Sequence, residues 1–172
     1  MGCDIHMHVE RRNSFRNGDK TEWVNGDYFS IKYPNDPNCA VIHEDLWGDR
    51  CYDLFAVLAN VRNRGYGEEL PYIDEPRGLP DDVTEYVKYD YDSWGIDAYS
   101  CSYFTLKELI EFHEKCRPVN AFGYDILEPL IDRVKQRADD FHIIYDFEWE
   151  RPLQDDLKSK MDDIRIVFWF DN

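Results

Sequence analysis

The sequence predicts an α+β fold in a single domain, 1–172, with an N-terminal antiparallel meander, a C-terminal strand and three to four packing helices. Three observations predict it. Residues 3–10 alternate, with Cys3, Ile5, Met7 and Val9 apolar and Asp4, His6, His8 and Glu10 polar. That period of two belongs to a strand with one face on a core. Helical spacing falls between the early strands and the last one. The closing run from Ile164 to Phe170 is almost wholly apolar or aromatic, as in a central strand covered on both faces. Strands early and last with helices between them make an α+β architecture.

Each element follows from local chemistry. Asn17-Gly18 and Asn25-Gly26 sit between strand-like segments, and Asn-Gly is the strongest short signal for a two-residue hairpin turn. They predict strands over about 3–16, 19–24 and 27–33. Tyr33-Pro34-Asn35-Asp36-Pro37-Asn38 then reads as a loop. Leu54, Val57, Leu58 and Val61 give a helical stripe over 50–63, stopped by Arg64-Gly65-Tyr66-Gly67. Residues 68–82, rich in Pro and Gly, read as a long ordered loop. Thr105-Leu106-Lys107-Glu108 is a capping box that opens a helix over 106–116. A further helix covers about 125–138, with Pro129 in its first turn or kinking it. Residues 141–149 lean to strand, and Leu153, Leu157 and Met161 mark a short helix.

Composition narrows the function. The chain has 172 residues, 43% hydrophobic and 16% aromatic, enough to bury a core unaided. It carries 20 basic and 36 acidic residues, a formal net charge of −16. Such a field repels phosphate backbones, so direct nucleic-acid binding is not expected. Five cysteines, Cys3, Cys39, Cys51, Cys101 and Cys116, show no C-x-x-C pair and read as free thiols of a reducing compartment. No apolar run is long enough to span a bilayer, and charges crowd the first dozen residues where a signal peptide needs an apolar core. The expectation is a cytoplasmic protein without membrane contact.

Four stretches and the opening carry a resemblance. Met1-Gly2-Cys3-Asp4-Ile5-His6 is one. The others are 52–63 (Tyr52 to Asn63), 76–83 (Pro76 to Val83), Phe104-Thr105-Leu106-Lys107-Glu108-Leu109 and 165–172 (Arg165 to Asn172). With them the chain resembles a family of small proteins encoded in bacteriophage and prophage genomes. The matching ends imply that the first and last strands share one sheet, and a phage origin implies the host cell cytoplasm. Where the family pattern reads His-Ser-His-Ser, this chain reads Tyr99-Ser100-Cys101-Ser102. One imidazole is thus absent and another is replaced by a thiol, which as thiolate still binds a soft or borderline cation.

The polar face of the first strand holds the most specific chemistry. Residues two apart on a strand point the same way about 6.5 to 7 Å apart, so Asp4 with His6, or His6 with His8, can meet one ion from one side. Zinc, manganese or iron would need further ligands from elsewhere. The resemblance favours Asp4 and His6, with Cys101 as third ligand; His8, Glu10, His113 and Asp171 are additional candidates. Arg62 and Arg77 offer planar forks to a phosphate or carboxylate, and Asp53 and Asn60, on one side of their helix, are candidates to support the ligands. His43, in His43-Glu44-Asp45, reads as loop and carries no role. Two functions follow as expectations. One is a metal-dependent hydrolase of a small phosphorylated or nucleotide substrate. The other is an acidic, non-enzymatic inhibitor of a host defence protein or nuclease, with Glu68, Glu69, Asp81, Asp82, Asp90 and Asp92 along one face.

Overall fold

A computed structural model describes residues 2–12, 19–32, 40–63, 69–145 and 161–171. Its centre is a four-stranded antiparallel sheet in the order β2-β1-β6-β5, built from β1 (Ile5–Arg11), β2 (Val24–Asn25), β5 (Tyr99–Thr105) and β6 (Ile164–Phe170). A separate two-stranded ribbon pairs β3 (Tyr28–Lys32) with β4 (Ala40–Glu44). The helices are α1 (Tyr52–Ala59), α2 (Glu85–Trp94), α3 (Leu106–Cys116) and α4 (Glu128–Tyr145). The fold is α+β, and the first and last strands lie side by side in one sheet, as expected.

The register sorts the side chains into two layers. Ile5 faces Phe170, Met7 faces Phe168 and Val9 faces Ile166 across the β1–β6 pair. These residues join the main core with Leu54, Phe55 and Leu58 of α1, Leu106 and Leu109 of α3, and Leu130 and Val134 of α4. The intervening pairs, His6 with Trp169, His8 with Val167 and Glu10 with Arg165, point to the opposite face. There Val87, Cys101, Val167 and Trp169 form a second, smaller core, with Tyr91 and Trp94 packed against it. Helix α2 covers this side. The continuously apolar β6 is therefore buried on both faces, all seven residues of it.

Several expectations need correction. Asn25-Gly26 does not close a hairpin: β2 belongs to the main sheet and β3 to the ribbon. Instead Gly26 N–H donates to the Val9 carbonyl at 2.7 Å, the Asn25 side chain accepts from Asp27 N–H at 2.8 Å, and Asp27 Oδ1 accepts from Val9 N–H at 2.8 Å. The dipeptide turns the chain out of the sheet while leaving Asp27 tied to it. Residues 141–145 continue α4 rather than forming strand. Pro129 sits in the first turn of α4, where its missing N–H has no helical partner to lose. The turn at Asn17-Gly18, the loop at 33–38 and the segment holding Leu153 and Leu157 lie outside the described residues.

Three elements had no sequence expectation, α2, β4 and β5; His43, expected in a loop, lies on β4 instead. Only Val87 of α2 is fully buried, so its apolar stripe is too thin to stand out among the tyrosines. In β5, the register shifts between Tyr99 and Ser102, with Ser100 at φ 49°. This bulge turns Cys101 into the second core. The capping box holds as expected: Thr105 accepts from Glu108 N–H while Glu108 accepts from Thr105 N–H, and α3 spans Leu106–Cys116.

The layers are pinned by a buried ion pair. Glu10 Oε2 accepts from Arg165 Nε at 2.7 Å, and Glu10 Oε1 accepts from Thr84 N–H at 2.7 Å at the start of α2. Arg165 also donates to Asp82 Oδ1 at 2.6 Å, and its guanidinium lies 4.0 Å from the Trp23 ring centre. Removing one partner of a buried pair strands the other charge, which costs roughly 3 to 5 kcal/mol. Glu10→Ala is accordingly expected to lower unfolding stability by about that much in urea titration. A loss below about 1 kcal/mol would show that Asp82 alone satisfies Arg165.

Candidate metal centre

The second face gathers titratable groups from three elements and one link. His8 comes from the middle of β1, Asp27 from the link between β2 and β3, His43 from β4, and Asp90 from α2. His8 is 1% exposed in its side chain and Asp27 not at all, while His43 keeps 18% exposure. His8 Nδ1 lies 2.7 Å from Asp27 Oδ2, and His8 Nε2 lies 3.0 Å from Asp90 Oδ2. Each buried nitrogen thus faces a carboxylate.

Burial alone would depress the His8 pKa, but the carboxylates of Asp27 and Asp90 outweigh it and raise it to about 9. Burial pushes the Asp27 carboxyl up, yet the imidazoles of His43 and His8 hold it well below the usual carboxylate range. Asp90 is lowered by its hydrogen bond to His8, against the effect of its partial burial. A His8 pKa raised in this way favours the imidazolium form, which can donate to both carboxylates.

His43 sits differently. Its ring centre is 4.8 Å from that of His8, and its Nε2 comes within 3.2 Å of Asp27 Oδ2. That nitrogen is buried and makes no hydrogen bond: it is close enough to act on the Asp27 charge, yet misaligned for donation. Its Nδ1 faces Asp45 Oδ1 at 3.3 Å. One ligand atom from each of His8, Asp27 and His43 can be chosen so that all three lie within 4.8 Å of one another. Asp27 Oδ2 is the hub, within reach of His8, His43 and the Asn25 amide at 2.9 Å. Phe29 and Tyr86 form the roof, with ring centres 5.4 Å apart, and Tyr86 lies edge-on to His8.

The residues expected from sequence are placed as follows. Asp4, His6 and Asp171 do meet: Asp171 Oδ1 accepts from Asp4 N–H at 3.0 Å, and Asp171 Oδ2 lies 3.1 Å from His6 Nε2. Asp4 itself is held by the Arg50 guanidinium, which lowers its pKa. His6 packs on Trp94 and Trp169, with ring centres 4.1 and 5.8 Å away. Cys101 does not join them. It lies on β5, separated from β1 by β6, two strand spacings or about 9.5 Å. Burial pushes its thiol up to about 12, which removes the thiolate that a metal ligand or nucleophile needs. Glu10 is spent on Arg165. His113 Nε2 pairs with Asp125 Oδ2 at 2.8 Å, and Asp125 Oδ1 accepts from Leu127 and Glu128 N–H at the start of α4. Arg77 is engaged by Asp74, Glu108 and the Tyr103 carbonyl. Arg62 stacks on Tyr52 and acts on Cys3 and Tyr99. Asp53 and Asn60 belong to the α1 region, whose helix packs into the main core on the other face of the sheet; Asn60 is the helix C-cap.

Of the acidic residues considered as one face, Asp82 holds Arg165, Asp90 holds His8 and Asp92 pairs with Lys88. Glu68 lies outside the described residues. Sequence reading missed Asp27, His43 and Asp90, which are distant in the chain and carry no metal-ligand spacing. Comparison with protein-family models, curated proteins and solved structures finds no match for this chain. Among the described residues, no helix is long and apolar enough to cross a membrane.

Two outcomes follow. A histidine with a raised folded pKa stabilises fully below its unfolded value, about 6.5, and that stabilisation is lost as pH rises through about 9. Metal-free protein should lose on the order of 3 kcal/mol across that window, read by denaturant titrations, and His8→Gln should flatten the profile. A wild-type profile already flat there would exclude the imidazolium. For thiols, exposed Cys116 should alkylate readily in native protein and buried Cys101 only on unfolding. Rapid labelling of native Cys101 would contradict its placement.

Proposed function

We propose that the protein binds one divalent transition-metal ion on His8, Asp27 and His43, and that the ion activates water for hydrolysis of a small molecule. The observation that carries this reading is His43 Nε2, a buried nitrogen without a hydrogen bond, 3.2 Å from a carboxylate oxygen that also meets His8. An ion at the common point gives that lone pair a partner and takes the place of the His8 Nδ1 proton.

The donor set narrows the ion. Two imidazoles and one carboxylate suit zinc or iron better than magnesium or calcium, which prefer oxygen ligands. Asp27 Oδ1 is occupied by Val9 N–H, so Asp27 would offer Oδ2 alone. Three protein atoms leave a tetrahedral ion one position for water, whose pKa falls toward about 7 on zinc. His43 is the ligand nearest solvent, so substrate would approach from the ribbon side. The guanidiniums of Arg62 and Arg77 are engaged by Tyr52 and Glu108, so neither is assigned to the substrate.

Metal analysis tests it. Protein loaded with zinc, iron or manganese and then desalted should retain about one ion per chain. His8→Ala and His43→Ala should each lose it, and hydrolysis of a panel of small esters and phosphoesters should track metal content. Absence of stoichiometric ion, or full retention in the double variant, would remove the proposal.

A further inference from the structure

Both histidines of the centre have a second nitrogen, and each of those nitrogens meets its own carboxylate. His8 Nε2 lies 3.0 Å from Asp90 Oδ2 on α2. His43 Nδ1 lies 3.3 Å from Asp45 Oδ1, just past the end of β4. The ring atoms turned toward the shared carboxylate Asp27 are the opposite ones, Nδ1 of His8 and Nε2 of His43. An imidazole that ligates through one nitrogen keeps its proton on the other, and an acceptor there fixes both ring orientation and tautomer.

We infer that Asp90 and Asp45 are positioning residues that make this a mixed centre, with His8 ligating through Nδ1 and His43 through Nε2. The inference rests on the metal reading above and adds to it which atoms bind and which side chains decide. Asp90 acts from α2 and Asp45 from the ribbon's end, so the centre is assembled only when both are docked on β1. The two differ in strength. Asp90 is 35% exposed in its side chain and at true hydrogen-bond distance; Asp45 is 60% exposed and longer. Solvent competes more for Asp45, so Asp90 should matter more.

Nitrogen-15 spectra of histidine-labelled protein, with and without one equivalent of zinc, test this directly. Zinc should shift His8 Nδ1 and His43 Nε2 as bound nitrogens, while His8 Nε2 and His43 Nδ1 stay protonated. Zinc affinity should fall about 10- to 100-fold in Asp90→Ala and less in Asp45→Ala. Asp90→Asn keeps an acceptor oxygen and should recover part of the loss along with the wild-type nitrogen pattern. Amide spectra of the variants separate misfolding from a local effect. Stoichiometric zinc held by His8 Nε2, or by Asp90→Ala at wild-type affinity with an unchanged pattern, would overturn this inference alone. Failure of folded wild type to hold zinc, iron or manganese would overturn the metal reading, and this inference with it.

Discussion

A buried imidazole between two carboxylates is the constraint on which the second layer depends. His8 cannot be moved without moving β1, because its neighbours Met7 and Val9 point into the main core. Asp27 and Asp90 must therefore come to it. Asp27 brings the start of the ribbon, and Asp90 brings α2, which otherwise buries only Val87 completely. An uncompensated charge at 1% exposure would be costly, so the docking of both segments and the charge state of His8 are one problem. The same geometry leaves His43 Nε2 beside Asp27 without a hydrogen bond.

The division of labour across the sheet explains why structure and chemistry do not compete. One face holds Ile5, Met7, Val9, Phe168 and Phe170 with three helices, a packed apolar layer that supplies most of the burial. The other face is narrower and mixed. It contains an ion pair at one end, Glu10 with Arg165, then His8 with its carboxylates, then His6 between two indoles and Asp171 at the far end. Alternation along β1 and β6 produces both faces from the same two strands.

How much of this was legible in the sequence depends on whether a feature is local. The alternation of β1, the apolar run of β6 and the Thr105 capping box each live within a few residues, and each was readable. The polar face of β1 was readable too, but the sequence favoured Asp4 and His6 on it and kept His8 only as an additional candidate. The partners of His8 were not legible. Asp27 lies 19 residues away and Asp90 lies 82 away, and neither stands in a ligand-spaced motif. Asn25-Gly26 misled for a physical reason: Asn25 spends its side chain on Asp27 N–H, and the chain changes sheets where a tight hairpin was expected. Cys101 misled because a bulge, invisible in sequence, sends it into an apolar layer two strands from β1.

Anomalous diffraction at the zinc edge, from crystals grown with one equivalent of zinc, tests the central claim most directly. The account requires a single strong peak about 2.0 to 2.2 Å from His8 Nδ1, Asp27 Oδ2 and His43 Nε2, with Asp90 still against His8 Nε2. A peak among Asp4, His6 and Asp171 instead, or no peak while His8 keeps its contact to Asp27, would contradict it.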